Sequence, residues 1–379
     1  MQKKRIYLSP PHMGGTEIGY VHEAFDTNWV SPFGPNLTLF EKKVCDYVGM
    51  EHAVAVTSGT SAIHLALKYI GVKQGDYVFC QDLTFAASCN SIVYEKAIPV
   101  FIDSEYESYN MSPVALEKAF KKAEKEGKMP KAVVIVDLYG QSADYDRLLE
   151  ICNRYSVPVV EDAAESLGSE YNGKKCGTFG YINVFSFNGN KIITTSGGGM
   201  AVSNDGEAVK KMHFWANQSR EPGSFYLHKE LGYNYRLSNI CAGIGCGQME
   251  VLPERVARRR EIFEYYKKAL SDLPIEMMPV PEKSKPNFWL SVFTINKGCN
   301  ITPDEVVSRL EQENIEGRRF WNPMHNQPIF KDYEFVTHLE EGNVGDDLFS
   351  RGVCLPSGSS MTEEDLERVV RVLRDVFVK

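Results

Sequence analysis

The chain has 379 residues, 43% of them hydrophobic and 24% charged, with a formal net charge of −8. That length exceeds what one simple core fills, and roughly two domains of ordinary globular composition are expected. The acidic balance argues against nucleic-acid or polybasic membrane binding, while leaving room for a locally positive pocket. No stretch approaches the ~18 apolar residues of a bilayer span. The basic opening MQKKRIYLSPPHMGG has no apolar run behind it, so no signal peptide and a cytoplasmic protein are expected. Nine cysteines without a C-x-x-C pair read as reduced, mostly buried thiols, and neither they nor the eight dispersed histidines suggest a metal site.

In chain order, His52–Thr57, Asp76–Gln81, Ile98–Asp103, Ala132–Asp137 and Pro158–Asp162 read as buried strands. Between the first two, Ile63, Ala66, Leu67 and Ile70 keep the spacing of one helix face. Alternation of this kind predicts βαβ units and a mostly parallel sheet, which binds ligands at the carboxyl ends of its strands. A long helix is expected from about Asn239 to Leu270, with Ser238 as its N-cap and a charged second half that links two bodies. Beyond it, Phe288–Asn296 reads as a strand, and Thr302-Pro-Asp-Glu305 combines a capping box with proline at the first helical position. The chain closes on an amphipathic helix with Leu366, Val369, Val370, Leu373 and Phe377 on one face. The expected fold is therefore α/β, with a large domain over 1–250 and a smaller C-terminal α+β domain over 251–379.

Three strand ends carry polar groups. At Val56-Thr57-Ser58-Gly59-Thr60-Ser61 a strand breaks into a helix, whose free N–H groups with the Ser58 and Thr60 hydroxyls suit a phosphate. Alone, this segment reads first as a Ser/Thr cap with a glycine turn, since caps of this type are common. At Val159-Val160-Glu161-Asp162-Ala163-Ala164-Glu165 an acidic pair closes an apolar strand. It could hold a protonated pyridine nitrogen, bind a metal or a ribose, or cap the next helix. In the third segment, Phe185–Met200, an alternating strand runs into Lys191, two threonines and three glycines, a setting too apolar for a solvated lysine. Pyridoxal phosphate (PLP) requires this combination: a lysine for the Schiff base, an acid against the pyridine nitrogen and a phosphate cradle. The lysine, freed as an amine, can then carry a proton between carbons.

The segments SGTSAIHLAL, LTFAAS, VVEDAAESLG, FSFNGNKIITTSGGGM, GYNYRLSN and VCLPSG fall in the order and spacing of the DegT/DnrJ/EryC1/StrS family of PLP-dependent nucleotide-sugar aminotransferases, which the chain resembles over essentially its whole length. The resemblance implies the aspartate-aminotransferase type of fold. It implies that Lys191 forms the Schiff base, that Asp162 pairs with the pyridine nitrogen, and that Gly59, Thr60 and Ser186 hold the phosphate beside Ser58. It also implies that Phe85 stacks on the ring and that Glu165 lies on its sugar-facing side. Asn234 would reach the phosphate of the neighbouring subunit's cofactor, which makes a homodimer with shared sites. Asn188, in place of the family's usual histidine, and the TTSGGGM text resemble the subgroup that makes 4-amino sugars from UDP-N-acetyl-4-keto-6-deoxyhexoses, the bacillosamine type. L-Glutamate and a nucleotide-linked keto sugar are the implied substrates.

His325 reads as a sugar-nucleotide contact or a structural loop histidine, and Arg236 as an anion clamp or an interface ion pair. Arg318 and Arg319 are candidates for the same clamp. Tyr139-Gly140-Gln141 would touch substrate or form a turn over a buried tyrosine. Two functions compete: a PLP-dependent sugar dehydratase of the same fold, in which histidine replaces the lysine, and, from another class, a non-catalytic regulator that binds PLP or a sugar nucleotide. Lys191 argues against the first, and Lys191, Asp162 and Ser186 together count against the second.

Overall fold

The computed structural model describes residues 4–377; Met1–Lys3, which open the basic N-terminal stretch, lie outside it, as do Val378 and Lys379. Among the described residues fifteen strands are formed: β1 His52–Val56, β2 Tyr77–Gln81, β3 Ile98–Ile102, β4 Pro130–Val136, β5 Val159–Asp162, β6 Glu170–Tyr171, β7 Lys174–Lys175, β8 Ile182–Ser186, β9 Gly199–Ser203, β10 Ile275–Met277, β11 Ser284–Lys285, β12 Ser291–Ile295, β13 Arg318–Arg319, β14 Glu334–Val336 and β15 Gly352–Leu355. Eight make the main sheet in the order β1-β9-β8-β5-β4-β2-β3-β14. Every pairing from β8 to β14 is parallel, and β9 alone runs against its two neighbours.

The five apolar runs read from the sequence are β1 to β5, each to within two residues at either end. They are apolar throughout because helices cover both faces of the sheet. Side chains alternate between those faces. Val78, Cys80 and Val134 join the core under the helices Gly59–Ile70 and Gly206–Ala216. Phe79, Val133 and Ile135 join the opposite core, under Pro113–Glu126 and Tyr145–Arg154.

The helix Asn239–Ala269 starts where expected, the Ser238 hydroxyl accepting from the Cys241 N–H. Its first half packs on the main body through Ala242, Cys246 and Leu252, and its second half carries Ile262 and Tyr266 into a separate core. A four-stranded sheet, β10-β12-β15-β13, and the helices Pro303–Gln312 and Glu363–Phe377 complete that core. The capping box at Thr302 and Glu305 is present, and Leu366, Val369, Val370 and Leu373 are buried while Phe377 packs at the edge. Two segments cross between the bodies. β14 closes the main sheet beside β3, and Ile6 pairs with Ile315.

All nine cysteines are free, seven of them buried. Asp137, Glu161 and Cys176 approach closely enough to hold an ion. The two carboxylates, however, already accept from Tyr145, Ser166 and Ala143, and from the Gly177 and Phe179 N–H groups. Among the described residues, no helix is long and apolar enough to cross a membrane.

Candidate active site

The carboxyl ends of the parallel strands converge on one cavity of about 350 Å³, where such sheets place their ligands. β1 delivers Thr57 and Ser58, β5 ends on Asp162, β8 ends on Ser186, and the loop after β8 brings Lys191.

The Lys191 side chain is only 12% exposed, and its ammonium nitrogen lies 3.6 Å from a Glu165 oxygen. On another side it sits 4.1 Å from the centre of the Trp289 ring, a cation–π contact. The indole is itself anchored, Nε1 donating to the Asn190 carbonyl at 2.6 Å. Glu165 is held by the Tyr139 N–H at 2.7 Å. Burial pushes its carboxyl above the usual range, and the Lys191 charge opposes that shift.

Asp162 is buried beside them. Ser88 donates to one of its oxygens at 2.7 Å and the Ala164 N–H to the other at 3.2 Å. Burial raises its proton affinity, against the Ser88 and Ala164 hydrogen bonds and the Lys191 charge. A carboxyl so placed becomes a better anion when a cationic N–H binds next to it.

At the opposite end of the cavity the chain forms a cradle. The Ser58 hydroxyl caps the helix Gly59–Ile70 by accepting from the Ser61 N–H, so the capping role holds for its side chain. The first turn still directs its positive end into the cavity beside Thr60 and Ser186. Neighbouring segments of the chain leave no room for side chains at two glycines here. A Cβ on Gly59 would stand 3.2 Å from the Ser186 Cβ, and one on Gly199 would come within 2.3 Å of the Ser58 carbonyl. Phe85, 54% exposed, presents its ring at the cavity, with its centroid 5.4 Å from that of Trp321. An amine, a buried acid, an anion cradle and a free aromatic face around one cavity fit the aldehyde, pyridine nitrogen, phosphate and ring of PLP.

Other expected residues lie elsewhere in the chain. Arg236 is buried in an ion pair with Glu41 at 2.5 Å and donates to the Ala55 carbonyl at 2.9 Å. An anionic substrate reaching Arg236 would have to displace both contacts. His325 does not line this cavity; its Nδ1 pairs with Asp82 at 2.7 Å and its ring stacks on Phe335. Asn234 is exposed and away from its own chain's cavity, its backbone bridged to Asn217. Of the two adjacent arginines, Arg318 lines the cavity, whereas Arg319 pairs with Asp304 and lies over Phe349. Gln141 is buried, donating to the Ser108 and Pro279 carbonyls. Sequence reasoning missed Ser88, Trp289 and Trp321. Ser88 closes the LTFAAS motif and Trp289 sits in the expected strand, but nothing local marks either as facing a lysine.

The profile of the DegT/DnrJ/EryC1/StrS aminotransferase family matches residues 11–374. The chain is 55% identical to EpsN of Bacillus subtilis (strain 168), provisionally named a pyridoxal phosphate-dependent aminotransferase, over 99% of this chain and 96% of that one. It is 36% identical to the GDP-perosamine synthase of Caulobacter vibrioides, over 99% of each. A solved DegT/DnrJ/EryC1/StrS aminotransferase from Brucella abortus superposes with a TM-score of 0.88 at 28% identity, covering 96% of this chain and 95% of its own. The chain thus belongs to the DegT/DnrJ/EryC1/StrS aminotransferase family and is a PLP-dependent aminotransferase.

Proposed function

We propose that the enzyme moves an amino group from L-glutamate to the C4 keto group of a nucleotide-linked 4-keto-6-deoxy sugar. UDP-2-acetamido-2,6-dideoxy-4-ketohexose is the preferred acceptor, and the product serves surface polysaccharide or glycoprotein synthesis. The observation that carries this reading is the Lys191 amine, held between Glu165 and Trp289 at the strand-end crest and facing the same cavity as Asp162. In this reading Lys191 binds the cofactor and moves the proton in both halves of the reaction. Asp162 keeps the pyridine nitrogen protonated, Ser58, Gly59, Thr60 and Ser186 hold the phosphate, and Phe85 stacks on the ring. When bound, PLP supplies the electron sink and carries the amino group between donor and acceptor. Glu165 and Trp289 hold the amine in place and shield it from water. Arg318, at the cavity wall, is placed to take the substrate's anionic groups.

The exposed position of Asn234 supports a homodimer in which it completes the partner's phosphate site. The protein would act in the cytoplasm as two bodies, a cofactor-binding one over 1–250 and a smaller one over 251–379, with β14 and Ile6 exchanged between them. Incubation with glutamate and a panel of UDP-, dTDP- and GDP-linked 4-keto sugars, with product NMR, tests the assignment. A 4-amino product from the UDP-linked acetamido sugar in preference to the others is expected. Turnover confined to non-sugar ketones would overturn it.

A further inference from the structure

Asn287 lies outside the cavity lining, yet it is fully buried and its side chain touches the supports of both groups beside Lys191. Its two amide protons go to the Glu165 and Leu167 carbonyls, each at 2.9 Å. Its oxygen accepts from the Trp289 N–H at 2.7 Å. An asparagine side chain has two donors, and here both are spent on the Glu165–Leu167 turn.

The surrounding backbone is built around this contact. The Asn287 N–H donates to the Ser169 hydroxyl and to the Gly140 carbonyl, at 2.9 and 3.2 Å. Ser169 in turn donates to the Gly140 carbonyl at 2.7 Å. A Cβ on Gly140 would lie 1.9 Å from the Asn287 oxygen, so the turn leaves room for this amide and nothing more. Two bulky residues flank the junction in the left-handed region, Tyr139 at φ 56° and Phe288 at φ 51°. Such conformations are costly for aromatic residues and persist only where neighbouring contacts dictate them. Tyr139 gives its N–H to Glu165, and the ring of Phe288 stacks on Phe263 at 3.7 Å.

We propose that Asn287 is a positioning residue, which fixes Glu165 and Trp289 together and thereby sets the placement of the Lys191 amine. The inference rests on the reading of Lys191 as the reacting amine. It joins the crest of the main sheet to the segment that enters β12, so one amide keeps the two sides of the amine in register. Asp is nearly isosteric with Asn but carries no donors. Asn287→Asp would turn an oxygen toward two carbonyls and release the Glu165 turn.

The test uses the full chain, both PLP-loaded and freed of cofactor. Labelling of Lys191 by acetic anhydride in the cofactor-free chain, followed by peptide mass spectrometry, reports how tightly the amine is restrained and shielded. Labelling about threefold faster than wild type is expected for Asn287→Asp and Asn287→Ala, the factor set by loss of a contact of cation–π strength. In the loaded enzyme the pH dependence of the visible absorption should move. A control, Tyr266→Phe, removes a buried hydrogen bond to the Pro356 carbonyl in the other core and should lower the melting temperature with neither change. In a Glu165→Gln, Trp289→Phe background, Asn287→Asp should add nothing further. If the Asn287 variants do not fold, Ser169→Ala carries the test, because it loosens Asn287 without touching either group; its labelling should rise in the same direction. Labelling and absorption that stay at wild-type values in folded variants would overturn the proposal. Because no substrate enters these measurements, failure of the sugar assignment would leave them unaffected.

Discussion

The Lys191 amine lies 4.1 Å from the centre of the Trp289 ring, in the segment that enters β12, and 3.6 Å from a Glu165 oxygen, just after β5. An amine held this way needs little reorganisation before it reacts, which is how a rigid site lowers a barrier.

Asp162 and Ser88 should give a graded series. On the proposed reading Asp162→Asn removes the charge that would keep the pyridine nitrogen protonated, and the half-reaction with glutamate should slow by about a hundredfold or more. Ser88→Ala removes one hydrogen bond to that carboxylate but leaves its charge, so only part of the roughly 1.5–3 kcal/mol of that bond acts on the rate and the same step should slow about tenfold. Single-turnover absorbance with glutamate measures both. A change in cofactor affinity with an unaltered rate would reduce Asp162 to a positioning group.

Gly199→Ala tests the cradle from behind. Its Cβ would meet the Ser58 carbonyl and the Gly59 nitrogen at 2.3–2.4 Å, and both are backbone atoms that cannot swing aside. The helix start must move, so PLP affinity should fall, with about 1–3 kcal/mol of lost stability. Fluorescence titration of cofactor-free protein with PLP reads the first effect and thermal unfolding the second. Unchanged affinity would show that the turn does not hold the phosphate.

Asn234 tests the shared site. Asn234→Ala should weaken PLP binding by about one to two decades, the equivalent of about 1.5–3 kcal/mol for a donor to a phosphate. In a heterodimer with a Lys191→Ala chain, the one site that keeps its lysine faces an intact partner asparagine and should bind PLP and turn over normally. A site as weak as in the Asn234→Ala homodimer would place the asparagine's action within its own subunit.

His325 should make stability depend on pH. Burial alone would lower its proton affinity, but the hydrogen bond and charge of Asp82, helped by Asp346, raise it above the ordinary value of 6.5. The charged pair therefore contributes fully below pH 6.5, and the contribution is lost as pH rises through the higher folded-state value. The melting temperature of wild type minus that of His325→Ala should shrink between pH 6 and pH 8.5. A constant difference would show that the imidazole does not titrate there.

Much of this site was legible because its parts are local. Strands buried on both faces must be apolar runs, so β1 to β5 and the residues ending them could be read directly. Lys191 stood out because a cation in an apolar, glycine-rich segment needs a reason. The partners of His325 and Arg236 were not legible, because they lie far along the chain. His325 meets Asp82 243 positions upstream and Arg236 meets Glu41 195 positions upstream, and no local pattern announces such a partner. β14 is three residues long with Glu334 at its head, too short for periodicity to mark it. Trp289 lies in the apolar segment that enters β12 and Ser88 in the helix Ala87–Tyr94, and apolar character is sufficient explanation for both until their neighbours are seen.

The most direct measurement is the attachment of the cofactor itself. The PLP-loaded enzyme is reduced with borohydride, digested and mapped by mass spectrometry, with Lys191→Ala taken through the same steps. The account predicts the pyridoxyl mass on the peptide containing Lys191, with none in the variant, which should form its dimer yet show no multiple turnover. The modification on any other lysine, or sustained transamination by Lys191→Ala at near wild-type rate, would contradict it.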